Sequence, residues 1–410
     1  MDEHEFIYDW NHLKRGGPLS GRRFEVLDET LRDGVQSPSA TDPTIAEKIE
    51  LLHLIEAVGI QAASLGLPGA GERAYEHALA LARAIGGQRL RLKPTCAART
   101  TTKDIVPIAR IVQATGVGIE VYTFIGSSPI RLYTQDWTVD LLLHHIEEAV
   151  RFALQEGLEV CVVLEDTTRS KPQVLERIFR HAIDLGAKRL CIADTVGYST
   201  PDGVHNIVRF VTSIIQSTGA PVRLDWHGHN DRGLAVANAI YALEYGVDRV
   251  HGTALGMGER VGNAALDQIL VNLKLLDAWS ADLKALGRYC EAVSKACGFP
   301  IPANYPMSGR DAFRTGTGVH AAAILKAKKK GDDYLADRIY SAVPASLFGR
   351  HQEVEISQVS GHANVVYWLE ARQIPHDEAL VTAILAVAKQ ANGVLGEAEV
   401  LGVVRRHQGV

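Results

Sequence analysis

The chain has 410 residues, too many for one ordinary domain, although an α/β barrel can occupy ~250 as a single unit. Its formal net charge is -5 with both signs interspersed, which gives neither nucleic acid nor an anionic membrane a reason to bind. There is no apolar run of ~18 residues, the first residues (Met1-Asp2-Glu3-His4-Glu5) are acidic rather than leader-like, and the five cysteines are scattered with no CxxC, so a reduced, cytoplasmic protein is expected.

From residue 24 onward, short apolar runs alternate with longer amphipathic segments. The strand-like runs fall at 24–29, 60–67, 91–97, 118–125, 158–165, 189–194, 222–227 and 248–254. Cys96, Cys161 and Cys191 lie inside three of them, where a buried thiol is the expected state. Helical spacing fills the intervals, as in Ile45, Ile49, Leu52 and Ile55, or Leu142, Ile146, Val150 and Leu154. This alternation means parallel strands with crossover helices. An open doubly wound sheet is the competing arrangement, but eight units within ~250 residues favour a closed (β/α)8 TIM barrel. The barrel is assigned to residues 1–282.

Beyond ~280 the alternation stops. Helices are expected at 284–297, 320–330 and 377–391, separated by loops with Pro300, Pro302 and Pro306. Residues 283–410 thus form a smaller, mostly helical region. Lys328-Lys329-Lys330 is read as a solvated helix end.

A barrel gathers function at the carboxyl ends of its strands, and the polar residues collect there. Strand one runs into Asp28-Glu29-Thr30-Leu31-Arg32-Asp33-Gly34, strand five into Glu165-Asp166-Thr167-Thr168, and strand six into Asp194-Thr195-Val196-Gly197. Strand eight leads into Gly256-Met257-Gly258-Glu259-Arg260-Val261-Gly262-Asn263. Strand seven ends in Asp225-Trp226-His227-Gly228-His229-Asn230-Asp231. Residues two apart on a strand share a face, so His227 and His229 lie roughly 6–7 Å apart along the chain and can reach one ion.

These motifs together resemble a known family. The run Asp28 to Pro38 is similar to the signature of the DRE-TIM metallolyase superfamily. His227-Gly228-His229-Asn230-Asp231 with Gly258-Glu259-Arg260-Val261-Gly262-Asn263 resembles its acyl-CoA-condensing branch, the isopropylmalate, citramalate and homocitrate synthases. Thr317-Gly318-Val319-His320 and Val359-Ser360-Gly361-His362 are similar to landmarks of that branch's second region. The resemblance implies a divalent metal (Zn²⁺, Mn²⁺ or Mg²⁺) on Asp33, His227, His229 and Asn263, a donor set chemically suited to such ions. It further implies that Arg32 faces a keto oxygen, that Thr195 holds the substrate carboxylate, and that Glu165 and His320, helped by Tyr340, move protons. Gly256, Gly258, Glu259 and Arg260 would approach acetyl-CoA. A homodimer is implied, with the second region of one copy reaching the active site of the other.

Two positions depart from isopropylmalate synthases, where the family tends to carry histidine and glutamate. Tyr122 opens the strand-four stretch Tyr122-Thr123-Phe124-Ile125, and Ser64 opens Ser64-Leu65-Gly66-Leu67-Pro68 at strand two. Tyr122, Ser64 and Leu67 belong to the implied substrate pocket, so the accepted oxo acid is left open. The resemblance also implies no leucine-regulatory domain. The expected activity is a Claisen-type condensation of acetyl-CoA with a 2-oxo acid, as in 2-isopropylmalate synthase. The alternatives are homocitrate or citramalate synthase activity, an HMG-CoA lyase or aldolase on the same barrel, and a non-catalytic metabolite binder.

Overall fold

The computed structural model describes residues 6–8, 10, 19 and 21–409. Its strands β1 (Glu25–Asp28), β2 (Ala62–Ser64), β3 (Lys93–Arg99), β4 (Glu120–Gly126), β5 (Glu159–Glu165), β6 (Arg189–Asp194), β7 (Arg223–Gly228) and β8 (Arg249–Gly252) form a closed parallel barrel in chain order. Closure is made by β1 and β8, paired from Glu25 opposite Arg249 to Asp28 opposite Gly252. The TIM barrel read from the sequence is therefore the fold. The run at 60–67 contributes a strand only from Ala62 to Ser64, because Gly66 adopts a φ of 127° and Pro68 has no N–H to donate.

Crossover helices include α1 (Ile45–Ala57), α2 (Glu72–Gln88), α3 (Thr102–Thr115), the short α4 (Pro129–Thr134), α5 (Val139–Gln155), α6 (Pro172–Leu185), α7 (Pro201–Thr218), α8 (Ala235–Tyr245) and α9 (Leu266–Leu275). The start of α1 is set by reciprocal bonds: Thr44 N–H donates to Glu47 Oε2 at 2.9 Å and Glu47 N–H to Thr44 Oγ1 at 3.3 Å. On α5, the expected face of Leu142, Ile146 and Val150 is buried.

The interior of the barrel is layered because inward-facing residues recur every second position. Leu27, Ala62, Tyr122, Cys161 and Cys191 fill the middle. At the amino ends of the strands lies a buried polar plug. Arg249 Nη1 donates to Glu120 Oε2 at 2.7 Å and its Nε to Glu25 Oε2 at 2.9 Å. Arg189 Nη1 donates to Asp225 Oδ1 at 2.6 Å and its Nε to Glu120 Oε1 at 3.1 Å. The Tyr122 hydroxyl donates to Asp225 Oδ2 at 2.6 Å and accepts from Arg249.

The chain divides into two compact units. One contains the barrel through Asp282 together with Arg288–Pro300, and the other contains Leu283–Gly287 and the chain from Ile301 onward. The part of α10 (Leu286–Cys297) that belongs to the first, from Arg288 onward, is bolted to β1, since the Tyr289 hydroxyl donates to Asp28 and lies 3.2 Å from Thr30 Oγ1. The second unit carries α11 (Gly318–Lys329), α12 (Asp333–Arg338), α13 (His362–Ala371), α14 (Glu378–Gln390) and α15 (Glu397–Gln408), with a parallel pair of two-residue strands, β9 (Arg314–Thr315) and β10 (Glu353–Val354). Its core includes Trp368, Ile384 and Val400. Lys328, Lys329 and Lys330 are exposed at the end of α11, as expected, with Lys328 Nζ donating to the Tyr367 hydroxyl at 2.9 Å. All five cysteines are buried and none is in a disulfide, and no helix among the described residues is long and apolar enough to cross a membrane.

Arg249 is 1% exposed, so its loss takes a buried guanidinium from Glu25 and Glu120 and leaves Arg189 to serve both and Asp225. Arg249→Leu is expected to destabilise the barrel by about 3–5 kcal/mol. Guanidinium unfolding followed by circular dichroism checks this, and an unchanged midpoint contradicts it.

Candidate active site

At the other end of the barrel the strands release their polar residues into one cavity of about 250 Å³. The turn after β1 is tight because the Glu29 carbonyl accepts from the N–H groups of Arg32, Asp33 and Gly34 at 2.8–3.1 Å. This folds Arg32 and Asp33 over the mouth. From β7, His227 and His229 point to the same side, as their two-residue spacing requires. Asp33 Oδ2 lies 3.4 Å from His227 Nε2 and 3.5 Å from His229 Nε2, and the two imidazole nitrogens are 3.3 Å apart.

That triangle fits a metal ion. Ligand bonds near ~2.1 Å at tetrahedral or octahedral angles give donor separations of roughly 3.0–3.4 Å. Asn263 sits beside His229 through a backbone bridge, and its Nδ2 donates to the Met257 carbonyl at 3.0 Å. Asn263 Oδ1 and Asp33 Oδ2 are both buried without a hydrogen-bond partner among the described residues. Buried polar atoms are normally paired, so two such oxygens beside two imidazoles suit an ion. Protonation agrees. Burial opposes the Asp33 charge, but Arg32 and the imidazoles hold its carboxyl far below the usual range. Burial and the neighbouring His227 lower His229 to about 4, leaving it neutral at pH 7.

Around this centre the cavity gathers most of the residues singled out in the sequence: Arg32, Ser64, Leu67, Tyr122, Glu165, Thr195 and Glu259 all line it. Arg32 Nε donates to Glu29 Oε2 at 2.6 Å, and its Nη1 lies 3.2 Å from Asp33 Oδ1. Burial disfavours the guanidinium charge, yet these two carboxylates keep it ionised. Thr195 Oγ1 accepts from the Asp166 N–H at 2.8 Å, which leaves its own proton free to donate. Glu165 is raised above the usual carboxylate range by burial, against the pull of Arg131 at 3.7 Å. His320 and Tyr340 belong to the second unit. Their rings stack at 3.9 Å between centroids, and His320 Nδ1 is 3.3 Å from Thr315 Oγ1.

Residues 23–291 match the family model described as HMGL-like. The chain belongs to the HMGL-like family. It is 31% identical over 363 residues to a homocitrate synthase of Methanopyrus kandleri, covering 88% of this chain and 85% of that protein. The identity is also 31% to a homocitrate synthase of Pyrococcus abyssi, with 89% and 95% covered, and to a 2-isopropylmalate synthase of Solidesulfovibrio magneticus, with 90% and 71% covered. Among solved structures, the HMG-CoA lyase of Bacillus subtilis shares the fold, with a TM-score of 0.57 at 18% identity over 68% of this chain and 95% of that one.

Two lining residues of this HMGL-like barrel were given no role from the sequence. Glu29 anchors Arg32, and His251 Nε2 lies 3.0 Å from Asp225 Oδ2 with its ring centroid 5.6 Å from that of His227. The signal for both is parity: Glu29 follows Glu25 and Leu27, and His251 follows Arg249, on the inward face. The glycine-rich turn has a reason beyond close approach to a cosubstrate. A Cβ on Gly262 (φ 88°) would sit 1.8 Å from the Gly256 carbonyl oxygen, and one on Gly258 would sit 2.2 Å from Asn263 Nδ2. These glycines shape the seat of Asn263, and Arg260 locks the outer edge through paired bonds to Asp231 at 2.8 and 3.0 Å.

Gly262→Ala is therefore expected to shift Asn263 and to weaken divalent-metal binding by roughly 10–100-fold while the barrel stays folded. Equilibrium dialysis against Zn²⁺ and Mn²⁺, alongside circular dichroism, measures both. Wild-type metal affinity in this variant contradicts the assigned packing.

Proposed function

We propose that the protein is a metal-dependent synthase that joins the methyl carbon of acetyl-CoA to the keto carbon of a 2-oxo acid and releases CoA. The observation that carries this reading is the Asp33–His227–His229 triangle, with Asn263 beside it and Arg32 and Thr195 in the same cavity. The relatives named as homocitrate and 2-isopropylmalate synthases support it.

Asp33, His227, His229 and Asn263 would hold the ion, which when bound supplies Lewis acidity to a keto group. Thr195 donates its free hydroxyl proton to the substrate carboxylate. Arg32, fixed by Glu29, stands where negative charge develops on the former keto oxygen and lowers the barrier there. His320 takes a proton from the acetyl methyl group, Tyr340 holds its ring by stacking, and Glu165 moves protons on the barrel side. The resulting enolate carbon attacks the keto carbon, and water then cleaves the thioester. The chain works as a homodimer in which the second unit of one copy serves the barrel of the other. Acetyl-CoA approaches along the turn of Gly256, Gly258, Glu259 and Arg260.

Incubation of the metal-loaded protein with acetyl-CoA and a set of 2-oxo acids should release free thiol. Absence of thiol with every acid, together with cleavage of a hydroxyacyl-CoA, overturns the synthase reading in favour of a lyase. His320→Ala should cut turnover by about 10²–10⁴-fold with bound metal unchanged. A pH profile tests Glu165. A base must be ionised to act, so activity is lost as pH falls through the raised pKa of this carboxyl, and Glu165→Gln should remove that acid limb as well as slow the reaction. An acid limb that persists in Glu165→Gln assigns it to another group.

A further inference from the structure

The cavity is asymmetric in a way that bears on the second substrate. In a closed ring of eight strands taken in order, β3 to β5 lie across from β7, β8 and β1. The metal donors and Arg32 come from the latter side. The far arc presents Ala97 from β3, Tyr122 and Phe124 from β4, and Val163 with the carboxylate of Glu165 at its rim from β5, flanked by Leu67 beyond β2. The Tyr122 hydroxyl is turned away into the plug, where Asp225 and Arg249 occupy it, so this residue offers its ring to the cavity. Among the described lining residues, Arg32 is the one lysine or arginine, and Glu29 and Asp33 already flank it. A carboxylate at the tail of the oxo acid would reach the far arc, meet no cation and lose its water. An unpaired buried charge is strongly disfavoured, enough for a large discrimination.

We propose that the cavity selects a 2-oxo acid with an uncharged aliphatic or aromatic tail over one with a second carboxylate, and that Tyr122 and Phe124 set this preference. The inference rests on the condensation reading and names the substrate class of the same site. The carboxylate and ketone of the acid stay with Thr195, Arg32 and the metal donors. The remaining carbons lie against the two aromatic rings, fixed in position because Tyr122 is tethered at its hydroxyl.

The test uses the metal-loaded protein with 2-oxobutanoate, 3-methyl-2-oxobutanoate, 4-methyl-2-oxopentanoate, phenylpyruvate, oxaloacetate and 2-oxoglutarate. Thiol release from acetyl-CoA gives kcat/KM, and calorimetric titration of each acid without acetyl-CoA gives Kd. The best uncharged tail should exceed 2-oxoglutarate about 100-fold in kcat/KM, and the Kd values should rank the same way. Leu67→Arg, which adds a cation at the half-buried edge of the arc, should shift the ratio toward 2-oxoglutarate at least about tenfold. A preference for 2-oxoglutarate or oxaloacetate in the wild-type protein overturns the proposal while leaving the condensation intact. If no acid releases thiol, the condensation reading fails and the titrations decide the tail alone. Tighter binding of uncharged acids sustains the preference; equal, reversed or absent binding overturns it.

Discussion

The rim is built around one buried charge. A carboxylate out of water is costly unless cations or hydrogen bonds replace what water supplied, and Asp33 is 3% exposed. Arg32 approaches one oxygen and the imidazoles of His227 and His229 approach the other. Arg32 would be free to swing into solvent were it not gripped by Glu29, which hangs on β1 with its carbonyl closing the turn beneath. The geometry of the centre is thus inherited from the register of β1 against β8 and the two-residue spacing on β7.

The same alternation separates two polar environments within one barrel. Along β7, Asp225, His227 and His229 all face inward, but Asp225 is committed to Arg189 and Tyr122 in the plug while the histidines face the cavity. His251 touches both layers, with Asp225 on one side and the ring of His227 on the other. A plug of paired charges at the amino ends gives a rigid floor. Burial opposes the Asp225 charge, and Arg189 with His251 and Arg249 overcomes this and holds its carboxyl down at about 2. The floor therefore stays ionised at pH 7, and Tyr122 stays tethered.

The barrel was legible because its signal is repetitive: short strand-like runs alternate with longer helical segments, and 189–194 coincides with β6 to the residue. The clustering of His227 and His229 was legible too, since two histidines at strand spacing share a face, whereas Asp33 entered through the family resemblance and lies beside them in the structure. In the second unit α13 was passed over because Asn364 through Leu369 are all buried, so the helix has no polar stripe to give a 3.6-residue period. α15 was missed for the opposite reason, with Val400, Val403 and Val404 as its buried residues among charged neighbours. The plug was invisible because Glu25, Glu120, Arg189 and Arg249 are far apart in sequence and read locally as solvated strand ends. Closure of the barrel is what brings them together.

The charge lining the cavity ties these features to chemistry. Among the described lining residues, Glu29, Asp33, Glu165 and Glu259 face it with Arg32 as the one lysine or arginine, and burial lowers His229 to about 4. Such a wall repels an anionic substrate. On the proposed reading, a divalent ion held by Asp33, His227, His229 and Asn263 would reverse the local field and give an anion a reason to enter. Binding of that metal and of the proposed 2-oxo acid would thereby be linked, each favouring the other by the same free energy.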